Sequence, residues 1–415
     1  MKVTVQVKLE PTPEQASALA VTLSACNDAA SWVGKIAFET GEFKNFSLRK
    51  LVYAQVKDRW GLGAQAAQHV IKKVCDAYAA LWANARAGNL GHQASRRYRQ
   101  ATQRPIRFRL DGAQPYDDRM LSWRIDAGTV SIWTIKGRLK NVAFSGSPAQ
   151  LQKLALHRRG ESDLLCRDGS WFLVATCDVP EAELNDQPDD FLGVDLGIVN
   201  IATTSDGEVM AGRQLNRLRA RDRRLRRKLQ QRNTKSAKRR ARRRRRKEAR
   251  RAKDINHKIA KRIVTEAERT GRGIALEDLT GIRERVRLRK PQRVTFHSWS
   301  FAQLEGFIAY KARRAGVPVV YVDPAYTSRT CAECGHVDKA NRVSQARFAC
   351  RSCGFVDHAD RNGSRNIRAR GLELWRRGAP SAAPASSGLR GAGRMRRVEP
   401  LDARRASPVA SMAGG

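Results

Sequence analysis

The stretch that decides the fold of this chain is DPAYTSRTCAECGHVDKANRVSQARFACRSCGFVDHADRNGSRNI, residues 323–367. It holds two Cys-x-x-Cys-Gly units, whose cysteines are Cys331, Cys334, Cys350 and Cys353. The glycine that ends each unit, Gly335 or Gly354, permits a tight turn that a Cβ would disfavour. This spacing predicts a tetrahedral zinc site built on two hairpin turns. One alternative is four thiols that share no site and have this spacing by chance. Disulfides are the other alternative, but a reducing cytosol would keep these cysteines as thiols.

A carboxylate, Asp360, follows the second cysteine pair and opens the run DRNGSRNI. Because four thiolates leave zinc no open coordination position, the predicted zinc is structural and performs no chemistry. Asp360 could begin a helix and face a second metal ion. It could equally be the N-cap of that helix.

Charge is the most unusual global property of the chain. Its 415 residues suffice for two or three domains, and they include 80 Lys+Arg against 40 Asp+Glu, a net charge of +40. Such an excess predicts a polyanionic partner, DNA or RNA, although a ribosomal-type or membrane-surface protein could be as basic. The sequence contains no run of about 18 apolar residues, the length that would predict a membrane span. The first residues lack the apolar core of a signal peptide, so we expect a cytoplasmic protein.

The first half of the chain predicts a small β-barrel interrupted by helices. Val3, Val5 and Val7 alternate with polar residues as in a half-buried strand, and Thr12 begins a helix with a capping box. Helical spacing then continues to about residue 90. Short strands are predicted at four later places: 106–110, 121–125, 130–135 and 171–175. Four scattered cysteines are predicted to be buried free thiols: Cys26, Cys75, Cys166 and Cys177.

These patterns predict an α+β multidomain protein. Residues 1–10 and 104–182 would form an oligonucleotide-binding-like barrel, and residues 11–103 would form a helical lobe inserted into it. The basic residues between 96 and 109 suit phosphate contacts, or simply a solvated loop. An acidic run marks a linker over residues 183–190.

The second half begins with a buried strand that ends in a carboxylate, Asp195. An unpaired buried carboxylate is costly, so a metal or cation is expected beside it, unless Asp195 merely forms a turn. Residues 213–262 then hold 26 Lys+Arg and three acids, and a break near Asn233 predicts a helical hairpin. A disordered basic arm over residues 235–250 is the alternative.

Three carboxylates stand at element ends in this half of the chain. Asp195 and Glu277 each end an apolar strand, and Asp360 begins the last helix. Strand ends of one sheet converge, so the three acids could meet there and bind Mg²⁺ or Mn²⁺. Two such ions would activate a water molecule and stabilise the leaving oxygen of a phosphodiester. Capping or salt-bridging roles are the alternative for each acid.

Four segments of the second half resemble a known family. They are GVDLGIVNIATTSDG (193–207), IALEDLTGI (274–282), residues 300–336 and CRSCGFVDHADRNGSRNI (350–367). All four are similar to the TnpB (OrfB) proteins of insertion sequences and to the related miniature type V CRISPR effector nucleases. One departure is Gly363-Ser364, where the family commonly has two alanines.

The resemblance implies a RuvC-like nuclease domain of RNase H fold over residues 191–322 and 355–375. Its catalytic acids and magnesium ligands would be Asp195, Glu277 and Asp360. The four ribbon cysteines would bind structural zinc, and the zinc ribbon, residues 323–354, would contact the target nucleic acid. The barrel and helical lobe would be the wedge and recognition parts, and residues 376–415 are expected to be a disordered tail.

The resemblance further implies an RNA-guided DNA endonuclease whose partners are a guide RNA and double-stranded target DNA, with no membrane partner. Such a bacterial or archaeal protein would be associated with the nucleoid. A miniature CRISPR effector, a cleavage-silent RNA-guided repressor, a strand-transferring transposase and a basic RNA-binding protein with a structural finger are the alternatives. The sequence leaves the guide, the flanking DNA motif and the oligomeric state open.

Overall fold

The computed structural model describes residues 1–279 and 301–378. The elements of its N-terminal unit, residues 1–178, are β1 (Lys2–Glu10), α1 (Pro13–Thr40), α2 (Asn45–Trp60), α3 (Ala64–Arg86), α4 (Arg96–Thr102), β2 (Gln114–Tyr116), β3 (Leu121–Arg124), β4 (Thr129–Thr134), β5 (Gly137–Ser145), α5 (Pro148–His157), β6 (Arg158–Arg167) and β7 (Ser170–Asp178). The seven strands form one sheet in the order β2-β6-β7-β1-β5-β4-β3.

This sheet nearly closes on itself. The first strand, β1, lies in its middle and pairs antiparallel with β7 and β5, so the N-terminal strand joins the later strands as predicted. The two outermost strands, β2 and β3, are consecutive in the chain and separated only by residues 117–120. The four helices α1–α4 are inserted between β1 and β2. The predicted α+β character and the helical insertion are therefore present.

The helical insertion begins at the residue that the sequence indicates. Thr12 is the N-cap of α1: its side chain accepts a hydrogen bond from the backbone N–H of Gln15, and the Gln15 side chain accepts one from the backbone N–H of Thr12. Pro13 stands in the first turn, where its missing N–H is not needed. The predicted capping box is confirmed.

The prediction of a strand over residues 106–110 is wrong. This segment belongs to no strand, and side chains of two helices bind its backbone instead of a neighbouring strand. The Ser31 hydroxyl accepts a hydrogen bond from Phe108 N (3.0 Å), and the Tyr78 hydroxyl accepts one from Ile106 N (3.2 Å). Because these donors are already satisfied, the apolar alternation here reflects packing on α1 and α3 rather than a sheet.

The elements of the C-terminal unit, residues 191–279 and 301–378, are β8 (Phe191–Asp195), β9 (Asn200–Thr204), β10 (Val209–Ala211), α6 (Arg213–Arg232), α7 (Lys235–Arg269), β11 (Gly273–Glu277), α8 (Phe301–Arg314), β12 (Val319–Val322), β13 (Arg347–Ala349), β14 (Val356–His358) and α9 (Ala359–Arg376). Five strands form a mixed sheet in the order β10-β9-β8-β11-β12, in which β11 is parallel to both β8 and β12. A separate pair, β13 and β14, belongs to the ribbon.

Helices cover both faces of this mixed sheet. Leu192 of β8 joins the core made with α7 and α8, whereas its neighbour Phe191 joins the core made with α9. Glycine permits the close approach of α9, because a Cβ on Gly193 would lie 2.1 Å from the Ser364 carbonyl oxygen. The last helix is thereby held directly over the strand that ends in Asp195.

The basic hairpin is helical, as predicted. Asn233 takes the left-handed conformation (φ 46°) between α6 and α7, so the disordered-arm alternative for residues 235–250 is wrong. Buried Asp222 faces two arginines of α7, with Arg244 Nη2 at 3.0 Å and Arg251 Nη1 at 4.0 Å. Glu248 of α7 pairs in turn with Arg226 of α6. These acids between the helices offset part of the repulsion among the cations.

Some predictions fall outside the described residues. The segment IALEDLTGI (274–282) is described only to residue 279, so the end of that motif lies outside them. The tail was predicted from residue 376; α9 ends at Arg376, and residues 379–415 lie outside as well. Over residues 1–279 and 301–378, no helix is both long and apolar enough to cross a membrane.

Candidate functional site

The four ribbon cysteines form a compact group. Their sulfur atoms all lie within 4.8 Å of one another, with Cys331 Sγ 3.7 Å from Cys353 Sγ and Cys334 Sγ 3.6 Å from Cys350 Sγ. A tetrahedral zinc ion with Zn–S bonds of about 2.3 Å requires sulfur pairs about 3.8 Å apart. The donor set and its spacing therefore fit zinc.

Backbone geometry in the turns favours the thiolate form that binds metal. Gly335 and Gly354 both take positive φ, 74° and 75°, as predicted for the tight turns. In the second turn the backbone N–H groups of Cys353 and Ser352 point at Cys350 Sγ, at 3.5 and 3.4 Å. These donors, that of Cys353 above all, lower the pKa of the Cys350 thiol to about 6.

Two of the three predicted acids stand side by side at the end of the mixed sheet. Asp195 ends β8 and Glu277 ends the adjacent parallel strand β11, one residue beyond the Val194–Leu276 pair. Parallel strands therefore bring together two residues that are far apart in the sequence. Both side chains are half-buried.

The third acid reaches the same end of the sheet from the last helix. Asp360 is the second residue of α9, and its Oδ2 accepts a hydrogen bond from Asn200 Nδ2 at the start of β9 (2.8 Å). The N-cap alternative for Asp360 is wrong: His358 is the N-cap, and its ring accepts the hydrogen bond from Asp360 N (3.2 Å). The Asp360 carboxylate is free to face the sheet end.

The negative charge of the group is only partly offset by the nearby arginines Arg342 and Arg370. Burial, followed by the charges of Glu277 and Asp360, raises the pKa of Asp195 to about 8. Burial also raises the pKa of Glu277, although the Thr327 hydroxyl opposes this by donating a hydrogen bond to Oε1 (2.5 Å). Hard carboxylate oxygens that disfavour one another's charge fit a hard divalent cation such as Mg²⁺ or Mn²⁺.

The three carboxylates are neighbours but not a tight cluster. Among the described residues, the cysteines are the only group of three or more His, Cys, Asp or Glu whose ligand atoms all lie within 4.8 Å. In the described part of the chain, the cation that pairs with Asp360 is Arg342 of the ribbon, with Nη2 3.8 Å from Asp360 Oδ1. We refer to Asp195, Glu277 and Asp360 as the acid group.

Sequence reasoning missed the partners of the acid group. Asn200 lies in the hairpin directly after Asp195, so its position was a usable signal. Thr327 and Arg342 lie in the zinc ribbon, and nothing in their local sequence distinguishes them from surface residues. They become partners only because the ribbon folds against the end of the sheet.

Fold and site together define an α/β domain that carries an acid group at its sheet edge and a four-cysteine ribbon inserted before its last helix. Residues 175–280 match the family model OrfB_IS605, described as "Probable transposase". Residues 301–367 match the model "Cas12f1-like, TNB domain". These matches confirm, over these two ranges, the resemblance to the TnpB (OrfB) proteins and their Cas12f1-like relatives.

Individual relatives align over parts of the chain. The CRISPR-associated endodeoxyribonuclease Cas12f1 of Sulfoacidibacillus thermotolerans is 39% identical over 113 residues, 27% of this chain and 25% of that protein. The TnpB-like protein MJ0751 of Methanocaldococcus jannaschii is 42% identical over 87 residues, 21% of this chain and 31% of that protein. The chain thus spans less than a third of the length of these two relatives.

One solved structure extends the fold comparison across most of the chain. A cryo-EM structure of a Cas12f1–sgRNA–target DNA complex superposes with a TM-score of 0.51 at 15% identity, covering 84% of this chain and 82% of the other. At this identity the match shows a shared fold.

Proposed function

We propose that this protein is an RNA-guided, metal-dependent DNA endonuclease with a RuvC-like site. The observation that carries the proposal is the acid group: three half-buried carboxylates from two strands and a helix at one sheet edge, with the pKa of Asp195 raised to about 8. The strand arrangement, three antiparallel strands followed by two parallel ones, supports an RNase H-type sheet. A carboxylate group of this kind serves phosphodiester hydrolysis.

Asp195, Glu277 and Asp360 would hold the divalent ions. Bound there, Mg²⁺ would activate a water molecule and stabilise the leaving oxygen of a phosphodiester. Asn200 orients Asp360 through its hydrogen bond, and Thr327 orients Glu277. Arg342 adds a guanidinium at the same edge, where it can bind a phosphate oxygen of the strand.

The charge distribution supports guide RNA and double-stranded DNA as partners. The arginines between residues 96 and 109 are all exposed, and the helical hairpin adds a second basic surface. Phosphate contacts of this kind bind the backbone without reading its sequence. Guide pairing would supply the specificity, with the N-terminal unit as wedge and recognition parts and the ribbon on the target.

Cleavage by protein purified with co-expressed RNA tests the proposal. Labelled duplex DNA that matches the guide and carries the flanking motif is expected to be cut with Mg²⁺ or Mn²⁺ and left intact with EDTA. Asp195→Ala should abolish cutting, whereas substitution of an exposed acid that pairs with Lys258, Asp254→Ala, should leave it unchanged. Undiminished cutting by Asp195→Ala would overturn the nuclease assignment.

The products separate the remaining alternatives. Guide-dependent binding without cleavage would identify a repressor, and joined DNA products would identify a transposase. Sequencing the copurified RNA distinguishes a transposon-derived guide from one encoded by a CRISPR array.

A further inference from the structure

The zinc ribbon and the acid group are connected by buried polar side chains. Asn362 and Asn366 lie one turn apart in α9 on the face toward the ribbon, at 0% and 7% exposure, and Thr327 of the ribbon is 4% exposed. Buried amides and hydroxyls are costly unless fully hydrogen-bonded. Their partners therefore indicate what these residues hold in place.

Asn362 binds the backbone on both sides of a zinc ligand. Its Oδ1 accepts a hydrogen bond from Ala332 N (3.0 Å), and its Nδ2 donates to the Thr330 carbonyl (2.8 Å). Between these two residues lies Cys331. Because Asn362 follows Asp360 by two residues in the first turns of α9, the position of Cys331 fixes the helix end that carries Asp360.

Asn366 and Thr327 extend the connection to Glu277. Asn366 Nδ2 donates to the carbonyls of Thr327 (2.8 Å) and Thr330 (2.7 Å). The hydroxyl of Thr327 donates to Glu277 Oε1 (2.5 Å). Hydrogen bonds thus join the first cysteine turn to Glu277, and the backbone of α9 joins Asn362 to Asp360.

We propose that Asn362, Asn366 and Thr327 are positioning residues, through which the folded zinc ribbon sets the metal-binding geometry of the acid group. The inference rests on the proposed function, because it takes the acid group to be the catalytic metal site. Structural zinc then acts on catalysis without touching substrate. Loss of zinc would loosen Asp360 and Glu277 together while the mixed sheet stays folded.

Direct metal binding tests this without relying on cleavage. Mn²⁺ binding is measured by electron paramagnetic resonance, counting only the binding that Asp195→Ala removes, and zinc content is measured by elemental mass spectrometry. Asn362→Ala and Thr327→Val are expected to keep zinc yet bind Mn²⁺ about tenfold more weakly, as is usual for groups that orient metal ligands. Thr327→Ser, which retains the hydroxyl, should bind Mn²⁺ like the wild type.

Asn341→Ala is the matched control. Asn341 is as buried as Asn362, but its hydrogen bonds, to Arg329 O (3.0 Å), to His336 O (3.1 Å) and from Arg351 N (2.9 Å), stay within the ribbon. We expect this variant to lose zinc and, as a consequence, Mn²⁺ affinity. Asn362→Ala should show the Mn²⁺ defect alone.

A double-mutant cycle supplies the decisive comparison. Cys353→Ser should weaken Mn²⁺ binding in the wild-type background and add little in the Asn362→Ala/Asn366→Ala background, because the connection is already broken. The inference would be overturned if the changes in Mn²⁺ binding free energy simply added. It would also be overturned if both Asn362→Ala and Thr327→Val kept the wild-type Mn²⁺ affinity. If the wild type fails to cut DNA but the cycle shows coupling, the proposed function fails and the positioning role stands.

Discussion

Asp195 is the residue at which burial and charge conflict most strongly. Its carboxyl group is half-buried at the end of β8, and the charges of Glu277 and Asp360 add to the effect of burial on its pKa. Ionising this carboxyl group therefore costs more free energy in the metal-free folded protein than in the unfolded chain. A divalent cation would remove that penalty.

The pH dependence of stability follows from the direction of this shift. The folded pKa of Asp195, about 8, lies above its ordinary 3.8, so its contribution to stability is complete at low pH and is lost as pH rises toward 8. Without divalent ions, Asp195→Asn should raise the melting temperature at pH 8, because the free energy of unfolding should increase by an amount on the order of a few kcal/mol. Thermal denaturation with EDTA measures it.

The same experiment carries its own control. At pH 3 or below the variant and the wild type should melt alike, since Asp195 is then mostly protonated in both the folded and the unfolded state. Added Mg²⁺ at pH 8 should stabilise the wild type and leave Asp195→Asn unchanged. A variant less stable than the wild type at pH 8 would contradict the assigned electrostatics.

At the scale of elements, the site depends on how closely α9 lies on the sheet. A Cβ at Gly193 would meet backbone atoms, the Ser364 carbonyl oxygen at 2.1 Å and Arg368 N at 2.5 Å, and backbone cannot rotate away. Gly193→Ala should therefore destabilise the protein by about 1–3 kcal/mol or displace α9. Denaturant unfolding at fixed pH measures the change.

Gly363 is the natural comparison on the other side of this contact. A Cβ there would lie 3.6 Å from Asp195 Oδ2, an ordinary contact distance, so Gly363→Ala should be tolerated. Equal effects of the two substitutions would disprove the packing argument.

The basic hairpin depends on one buried acid. Asp222 contacts Arg244 and Arg251, and its removal would leave both guanidinium groups without this partner between α6 and α7. Asp222→Ala should cost about 3 kcal/mol of stability, within the range for breaking a buried ion pair. Added duplex DNA or heparin should restore part of the loss, and exposed Asp254→Ala should change little; helix content by circular dichroism follows both.

Helices and strands were predicted correctly where residues close together in the sequence determine the structure. The capping box at Thr12 and the break at Asn233 are local, and both are confirmed. Strands β5 and β6 were missed because they carry polar and charged residues on most of their length and are held by neighbours. The 106–110 segment shows the converse: its alternation is real, but side chains of α1 and α3 bind its backbone.

For the whole molecule, the sequence predicted which residues come together better than how they are held. Four cysteines at regular spacing and three acids at element ends were visible, and the structure brings the cysteines together and makes the acids neighbours. The contacts of Thr327 with Glu277 and of Arg342 with Asp360 join residues far apart in the chain. No local pattern encodes them, since they arise from docking the ribbon on the sheet.

The central place of β1 in the N-terminal sheet affects how this chain can be made. Its partners, β5 and β7, are translated long after it, and β7 ends only at Asp178. While the intervening residues are synthesised, β1 has no partner strand. Helices α1–α3 can already form during this time, because their contacts are local. The nascent sheet therefore completes late, because β1 can gain its second neighbour only after β7 has been synthesised.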